Sequence, residues 1–150
     1  MRILICALLF GFTSCVAECH TRLDTTWQGE AHPGVMSTLA FDLKGHARWT
    51  FDLPSGAETY DLKYELTQDR TRPQIGIAQT PDNLDFTGFT KGPYAGKTLY
   101  GIAVWDSETL RLDAQPGDPK QGGDSVRPKE FTDHALTFKR VRQMTPVNKN

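Results

Sequence analysis

The sequence predicts an all-β fold, an antiparallel barrel or sandwich, and three observations favour it. Apolar residues alternate with polar ones over much of the chain, glycine- and proline-containing turns separate the alternating runs, and no window shows a sustained helical period. Many short strands at near-regular spacing are typical of barrels and sandwiches. The length of 150 residues suits one domain around one core.

The clearest pattern is a three-residue motif that recurs about every ten residues. Phe-Asp-Leu begins at Phe41 and again at Phe51, and Tyr-Asp-Leu begins at Tyr60. Each copy lies in a run with apolar residues at every second position, so one face would pack on a core and the other would meet water. Turn residues, including Gly45 and Gly56, fill the gaps. The pattern predicts a three-strand antiparallel meander.

Further alternating runs bring the number of candidate strands to nine. They are Thr26–Glu30, Gln74–Thr80, Asp85–Phe89, Leu99–Trp105, Thr109–Ala114 and Ala135–Arg142. Asp106–Glu108 is short enough to join its two neighbouring strands as a hairpin. The segment Gln115–Glu130 is rich in glycine, proline and aspartate, so we expect one long surface loop there.

The N-terminus has the composition of a secretory signal over residues 1–17. Arg2 precedes an apolar run from Ile3 to Phe12, and small residues follow. A helix that spans a membrane needs about 20 apolar residues, so this run is too short to be one. The sequence therefore predicts an exported chain whose residues 18–150 form the barrel domain.

Two cleavage sites compete. Cleavage after Ala17 would release a soluble periplasmic protein. Cleavage before Cys15 would leave a lipid-anchored protein of the bacterial envelope, because Phe-Thr-Ser-Cys resembles a lipobox. Only Cys15 and Cys19 could remain after processing, so we expect no disulfide framework. The formal net charge of -1, with mixed acidic and basic residues, gives no attraction for nucleic acid or an anionic membrane surface.

Four segments, taken in order, resemble one protein family. Leu23–Glu30 contains the Leu-x-x-Thr-Trp opening, and Gly96–Leu112 contains a matching hairpin. Arg127–Phe131 reads Arg-Pro-Lys-Glu-Phe, and Leu136–Arg140 corresponds to a closing strand. Together they resemble a family of small exported bacterial domains that is abundant in planctomycetes.

The resemblance covers the chain from about Leu23 to Arg142 and shows two departures. Thr25 stands where the family prefers glycine, and Asp106–Glu108 replaces an Asp-Gly-Asp type of turn. The resemblance implies a lipocalin-like antiparallel β-barrel of about eight strands, with the signal segment outside the fold. It implies no catalytic residue and no cofactor.

Gly96-Lys97-Thr98 is not a phosphate-binding loop. Such a loop needs four residues between its first glycine and the Gly-Lys-Thr, with a helix after it. Gly92 precedes Gly96 by only three intervening residues, and the residues that follow alternate as a strand does. We expect a turn that leads into a strand.

Metal and catalytic motifs are weak. The four histidines are His20, His32, His46 and His134, and none has a second ligand at the spacing typical of zinc sites, so we expect no metal. No Gly-x-Ser-x-Gly elbow is present. Three carboxylates fall on outward positions of the meander: Asp42, Asp52 and Asp61.

The aromatic residues allow two interpretations. Lipocalin-like barrels hold a small apolar ligand when side chains do not fill the interior. Burying a large aromatic side chain also stabilises a fold by roughly 1.5 to 3 kcal/mol, so a packed core is the favoured interpretation. If a cavity is open, its expected lining is Trp49, Phe51, Tyr64 and Trp105.

Three other residues are predicted to have structural roles. Trp27 is expected to plug the barrel base. Arg127 is expected to clasp a barrel end by donating hydrogen bonds to carbonyl oxygens, with Phe131 packed below it.

For function, we expect a non-catalytic, monomeric envelope protein that binds either a small hydrophobic ligand or another envelope protein. The alternative is an enzyme, such as a hydrolase, with an acidic residue or histidine at the barrel mouth. A cavity lined by Trp49, Phe51 and Tyr64 would favour ligand binding. His46 or His134 beside a carboxylate in a cleft would favour catalysis.

Overall fold

A computed structural model describes residues 25–68 and 80–141, which form a closed barrel of eight antiparallel strands. Each strand pairs with its neighbours in sequence, and the first pairs with the last. The strands are β1 (Thr26–His32), β2 (Val35–Phe41), β3 (His46–Leu53), β4 (Gly56–Gln68), β5 (Asp82–Thr87), β6 (Thr98–Trp105), β7 (Thr109–Gly117) and β8 (Leu136–Arg140). The all-β prediction is confirmed, and the barrel is consistent with lipocalin-like architecture.

The up-and-down order gives the barrel two distinct ends. The connections β1–β2, β3–β4, β5–β6 and β7–β8 lie at one end, called the mouth here. The connections β2–β3 and β6–β7 lie at the other end, called the base. Within the described residues, no helix is long and apolar enough to cross a membrane.

The predicted meander corresponds to β2, β3 and β4. Leu39 pairs with Trp49, and Trp49 pairs with Tyr60. All three side chains are buried in the core, as the alternation predicts. Gly45 and Gly56 have positive φ angles of 86° and 120°, which explains why glycine occupies both turns.

Several strand boundaries differ from prediction, most clearly those of β5 and β7. β5 starts at Asp82 because the Pro81-Asp82-Asn83 sequence enters the strand instead of turning. β7 continues through Pro116 to Gly117, so the long loop starts three residues later than predicted and runs to Ala135. β8 pairs only with the first four residues of β7, so the part of β7 that contains Pro116 has one unpaired edge. A strand with an unpaired edge tolerates proline. The predicted strand Gln74–Thr80 lies almost wholly outside the described residues.

The loop of residues 118–135, called the strap here, covers the outer face of β6. Tyr100 and Ile102 alternate with the core residues Leu99 and Ala103, yet both are buried. A Cβ at Gly123 of the strap would overlap the ring of Tyr100, so the strap lies directly against that ring. Burial on both faces explains why the β6 sequence is almost continuously apolar.

Candidate functional site

The mouth of the barrel contains a cavity of about 270 Å³, called the mouth cavity here. Five strands and the loops at this end contribute its walls. Its lining residues are Ala31, His32, Trp49, Phe51, Phe89, Tyr94, Leu99, Leu112, Ala114, Gln115, Pro116, His134 and Leu136. Ligand cavities in proteins commonly measure about 300 to 1,000 Å³, so this one is sized for a small molecule.

Trp49 forms a fixed aromatic surface in the mouth cavity. Its indole Nε1 donates a buried hydrogen bond of 2.6 Å to Ser37 Oγ on the neighbouring strand. Its ring stacks on Phe51 with centroids 5.3 Å apart and an interplanar angle of 24°. Phe86 and Phe138 pack against the same indole from the core, at 5.3 and 6.4 Å. These contacts hold the ring in one orientation, which lowers the entropy cost of binding against it.

The β5–β6 connection supplies a second aromatic wall. Phe89 and Tyr94 lie with ring centroids 5.6 Å apart, and Phe89 lies 5.5 Å from Tyr60. Tyr60 is buried, and desolvation together with Glu58 raises the pKa of its phenol to about 12. The wall is therefore aromatic and uncharged at neutral pH.

Gly96-Lys97-Thr98 lies beside this wall in a turn. Gly96 N–H donates to the Phe89 carbonyl oxygen at 2.9 Å, and Lys97 N–H donates to that of Tyr94 at 2.9 Å. Thr98 is the first residue of β6. A strand follows the motif where a phosphate-binding loop would have a helix.

Polar groups of the mouth cavity lie at its rim. His32 ends β1, next to the Pro33-Gly34 turn, and His134 lies near the end of the strap. Gln115 also belongs to the lining, but it pairs with Tyr100, so its side chain lies on the outer face of β7. Among the described residues, the lining includes no carboxylate, lysine or arginine. The cavity therefore combines an apolar interior with a phenol and two imidazoles.

A buried carboxylate positions the backbone at His134. Asp113, which is 1% exposed, accepts two hydrogen bonds at Oδ2, from Thr132 N–H at 2.7 Å and Thr132 Oγ1 at 2.8 Å. His134 N–H then donates to Thr132 Oγ1 at 3.2 Å. This chain of bonds ties the end of the strap to β7.

Two of the four predicted ligand-binding residues, Trp49 and Phe51, line the mouth cavity. Tyr64 and Trp105 do not line it. They pack at the base around Phe41, with ring centroids 5.1 and 5.9 Å from it. Alternation predicts that a side chain points inward, but the height of that side chain in the barrel depends on strand register.

The predicted structural residues occupy separate places. Trp27 is the second residue of β1 and lies in the core, where it is 1% exposed. Arg127 donates to both carboxylate oxygens of Asp85 and, at 2.8 Å, to the Gly101 carbonyl oxygen. The guanidinium of Arg111 lies over the ring of Phe131, 4.5 Å from its centroid. Cys15 lies outside the described residues.

A second, more open depression of about 720 Å³ lies on the barrel surface near the β2–β3 turn, and is called the outer groove here. His46 Nδ1 lies 3.0 Å from Asp42 Oδ2 in this groove. Asp42 Oδ1 also accepts backbone N–H bonds from Lys44 and His46, at 2.7 and 2.9 Å. The N–H of His46 is the main cause of a lowered pKa at Asp42, with the His46 side chain and Lys44 N–H adding to it.

The outer groove holds the histidine–carboxylate pair that would favour catalysis, but at the base and not at the mouth. Both side chains are about half exposed, at 58% for His46 and 46% for Asp42. Arg48 and Asp61 form an exposed ion pair nearby at 2.7 Å. Within residues 25–68 and 80–141, no three histidine, cysteine or acidic side chains converge as metal ligands do.

Comparison of the chain with family models, with curated proteins and with solved structures gives no match. Sequence reasoning missed His32 because a register shift between Glu30 and His32 breaks the alternation of β1. No residue pattern marks that irregularity.

Proposed function

We propose that the protein is a non-catalytic, monomeric protein of the bacterial cell envelope that binds a small hydrophobic ligand in the mouth cavity. The observation that carries the proposal is the fixed aromatic surface of Trp49 and Phe51 in an accessible cavity of about 270 Å³. A domain gains nothing in packing by leaving such a space open, because voids cost stability. A bound apolar group would bury surface there and offset that cost.

The side-chain packing in the rest of the barrel interior leaves the mouth as the place for a ligand. Toward the base, the aromatic rings of Phe41, Tyr64, Trp105 and Phe86 pack against one another at centroid distances of 5.1 to 6.2 Å. Of the two interpretations of the aromatic residues, a packed core thus applies near the base, and a ligand cavity applies at the mouth. The lower part is a packed core, and the mouth is the binding region.

We further propose export through the N-terminal segment, with Cys15 as the lipid-carrying residue if cleavage occurs before it. The support is the apolar run that follows Arg2. Binding to another envelope protein, instead of a small ligand, has less support. The large exposed apolar side chains among the described residues are Met36, Leu43 and Val141, which do not form one stretch of sequence.

One observation favours an enzyme as the second candidate. A carboxylate that holds the Nδ1 of a histidine leaves Nε2 available as a general base, and Asp42 and His46 have this arrangement. The same contacts also fit a role in closing the β2–β3 turn, because Asp42 accepts two backbone N–H bonds there. The exposure of the pair favours the turn role, so ligand binding remains the proposed function.

Filling the mouth cavity tests the proposal. Ala114 lines the cavity, and Ala114→Leu adds apolar bulk into it. We expect this variant to fold and to bind 2-naphthylmethanol at least about tenfold more weakly than the unmodified chain, as loss of about 1.4 kcal/mol implies. Quenching of tryptophan fluorescence would measure the affinity.

Ala57→Leu is the matched control, because Ala57 is exposed on β4 and does not line the cavity. It should bind the probe as the unmodified chain does. Equal affinity in the Ala114→Leu variant would show that the probe does not occupy the mouth cavity.

A further inference from the structure

We propose that the ligand of the mouth cavity is a small apolar acid: a ring or short chain with one carboxylate, whose head accepts hydrogen bonds from His32 and His134. This inference rests on the proposed function and specifies the ligand class. It follows from the kinds of groups that line the cavity and from where they lie.

The interior selects an apolar body. Trp49 and Phe51 stack in parallel on one side, and Phe89 and Tyr94 meet on another. Flat aromatic faces bind apolar rings and chains through dispersion and through exclusion of water. The small volume limits this body to about the size of one or two rings.

The rim selects the head group. An imidazole carries at least one N–H donor, and a phenol adds an O–H donor. His32, His134 and Tyr94 supply these groups to the mouth cavity. The described lining includes no carboxylate, which is the usual partner of an ammonium group. A carboxylate accepts hydrogen bonds only, so a lining that holds donors and no carboxylate suits it better than it suits a cation.

The two histidines approach from different elements. His32 is the last residue of β1, and its turn is fixed by a hydrogen bond of 2.6 Å from Gly34 N–H to Glu30 Oε1. His134 stands on the strap, whose end is tied to the buried Asp113 through Thr132. Both imidazoles therefore extend from backbone that is held in place, so little order is lost on binding.

The experiment compares three probes that share a naphthalene ring: 2-naphthoate, 2-naphthylmethanol and 2-naphthylmethylamine. Protein purified from cells that express the full chain is titrated with each probe at neutral pH, with tryptophan fluorescence as the readout. We expect 2-naphthoate to bind at least about tenfold more tightly than the amine, because the lining offers hydrogen-bond donors to a carboxylate and no carboxylate to an ammonium.

Variants of the two histidines test the contribution of the ligand's head group to binding. In a His32→Phe and His134→Phe double variant, the ratio of acid to alcohol affinity should fall about tenfold, while the alcohol still binds. Both positions are exposed, so these changes should leave the fold intact. Lys129→Phe is the matched control, because it introduces the same side chain at an exposed strap position outside the cavity lining.

The outcomes separate this inference from the proposed function. A preference for the acid that disappears in the double variant supports both. Binding of all three probes with equal affinity, a preference for the amine, or an unchanged acid-to-alcohol ratio in the double variant would overturn the acid and leave the mouth as a binding site. If none of the probes binds, the proposed function is overturned as well.

Discussion

Arg127 joins the strap to the barrel wall through a charged contact that is largely shielded from water. Its guanidinium pairs with both oxygens of Asp85, donates to the Gly101 carbonyl oxygen and lies 5.7 Å from the centre of the Tyr100 ring. The side chains of Arg127 and Asp85 are only 13% and 20% exposed. Removing one partner of such a pair leaves the other charge poorly solvated.

We expect Arg127→Ala to lower the free energy of unfolding by about 2 to 3 kcal/mol. The loss combines the unpaired Asp85 carboxylate with the missing contact to Tyr100. Urea denaturation followed by tryptophan fluorescence would measure it.

Arg48→Ala is the control. Its ion pair with Asp61 has a similar length, 2.7 Å, but its side chains are 67% and 73% exposed. Exposed pairs contribute about 0 to 1 kcal/mol. Equal stability of the two variants would mean that the Arg127 contact does not hold the strap.

At the scale of elements, β1 pairs with β8 to close the barrel, and this pairing requires a small residue where the two backbones come close together. β1 and β8 pair at Trp27 with Arg140 and at Gln28 with Lys139. The next residue of β1 is Gly29, and a Cβ there would overlap the carbonyl oxygen of Thr137 on β8. The backbone of β8 cannot yield without separating the strands.

We expect Gly29→Ala to cost about 2 to 3 kcal/mol of unfolding free energy, because the added methyl group forces the closing strands apart. Gly34→Ala is the control for backbone effects: Gly34 has a φ of 79° but open space around its Cβ position. That variant should lose only about 1 kcal/mol, from strain alone. Denaturation curves of both variants give the comparison, and a Gly29→Ala cost no larger than that of Gly34→Ala would contradict the closure argument.

At the scale of the whole molecule, the sequence predicts what depends on local pattern. Alternation around Phe41, Trp49 and Tyr60 is enough to identify strands and their buried face, because the period of two is a property of the extended backbone. β6 is recognisable as a short apolar run bounded by turn residues. The order of strands around the barrel then follows from short connections between antiparallel neighbours.

Features that depend on contacts distant in sequence could not be predicted. The partner of Arg127 is Asp85, which is 42 positions away and belongs to another strand. Tyr64 and Trp105 have the alternation of cavity residues but lie at the base, because barrel register sets their height. His32 lines the cavity next to a register shift, and no residue type in the sequence predicts that shift. The candidate site therefore depends on tertiary geometry more than the fold does.

The stability of the whole barrel should decrease at alkaline pH through Tyr60. Burial raises the pKa of its phenol to about 12 in the folded protein, against about 10 in an unfolded chain. Between these values the unfolded chain releases the phenolic proton while the folded barrel retains it. This contribution to stability is complete below pH 10 and is lost as the pH rises toward about 12.

Tyr60→Phe removes this titration and keeps the ring that packs 5.5 Å from Phe89. The unfolding free energy of the variant should therefore fall less steeply than that of the unmodified chain between pH 10 and about 12. Denaturation curves at several pH values in this range give both slopes, and the ultraviolet absorbance of phenolate reports directly whether one tyrosine ionises late. Lysines titrate in the same range, but they are present in both proteins, so their effect cancels in the difference. Identical slopes would mean that Tyr60 ionises in the folded barrel as readily as in the unfolded chain.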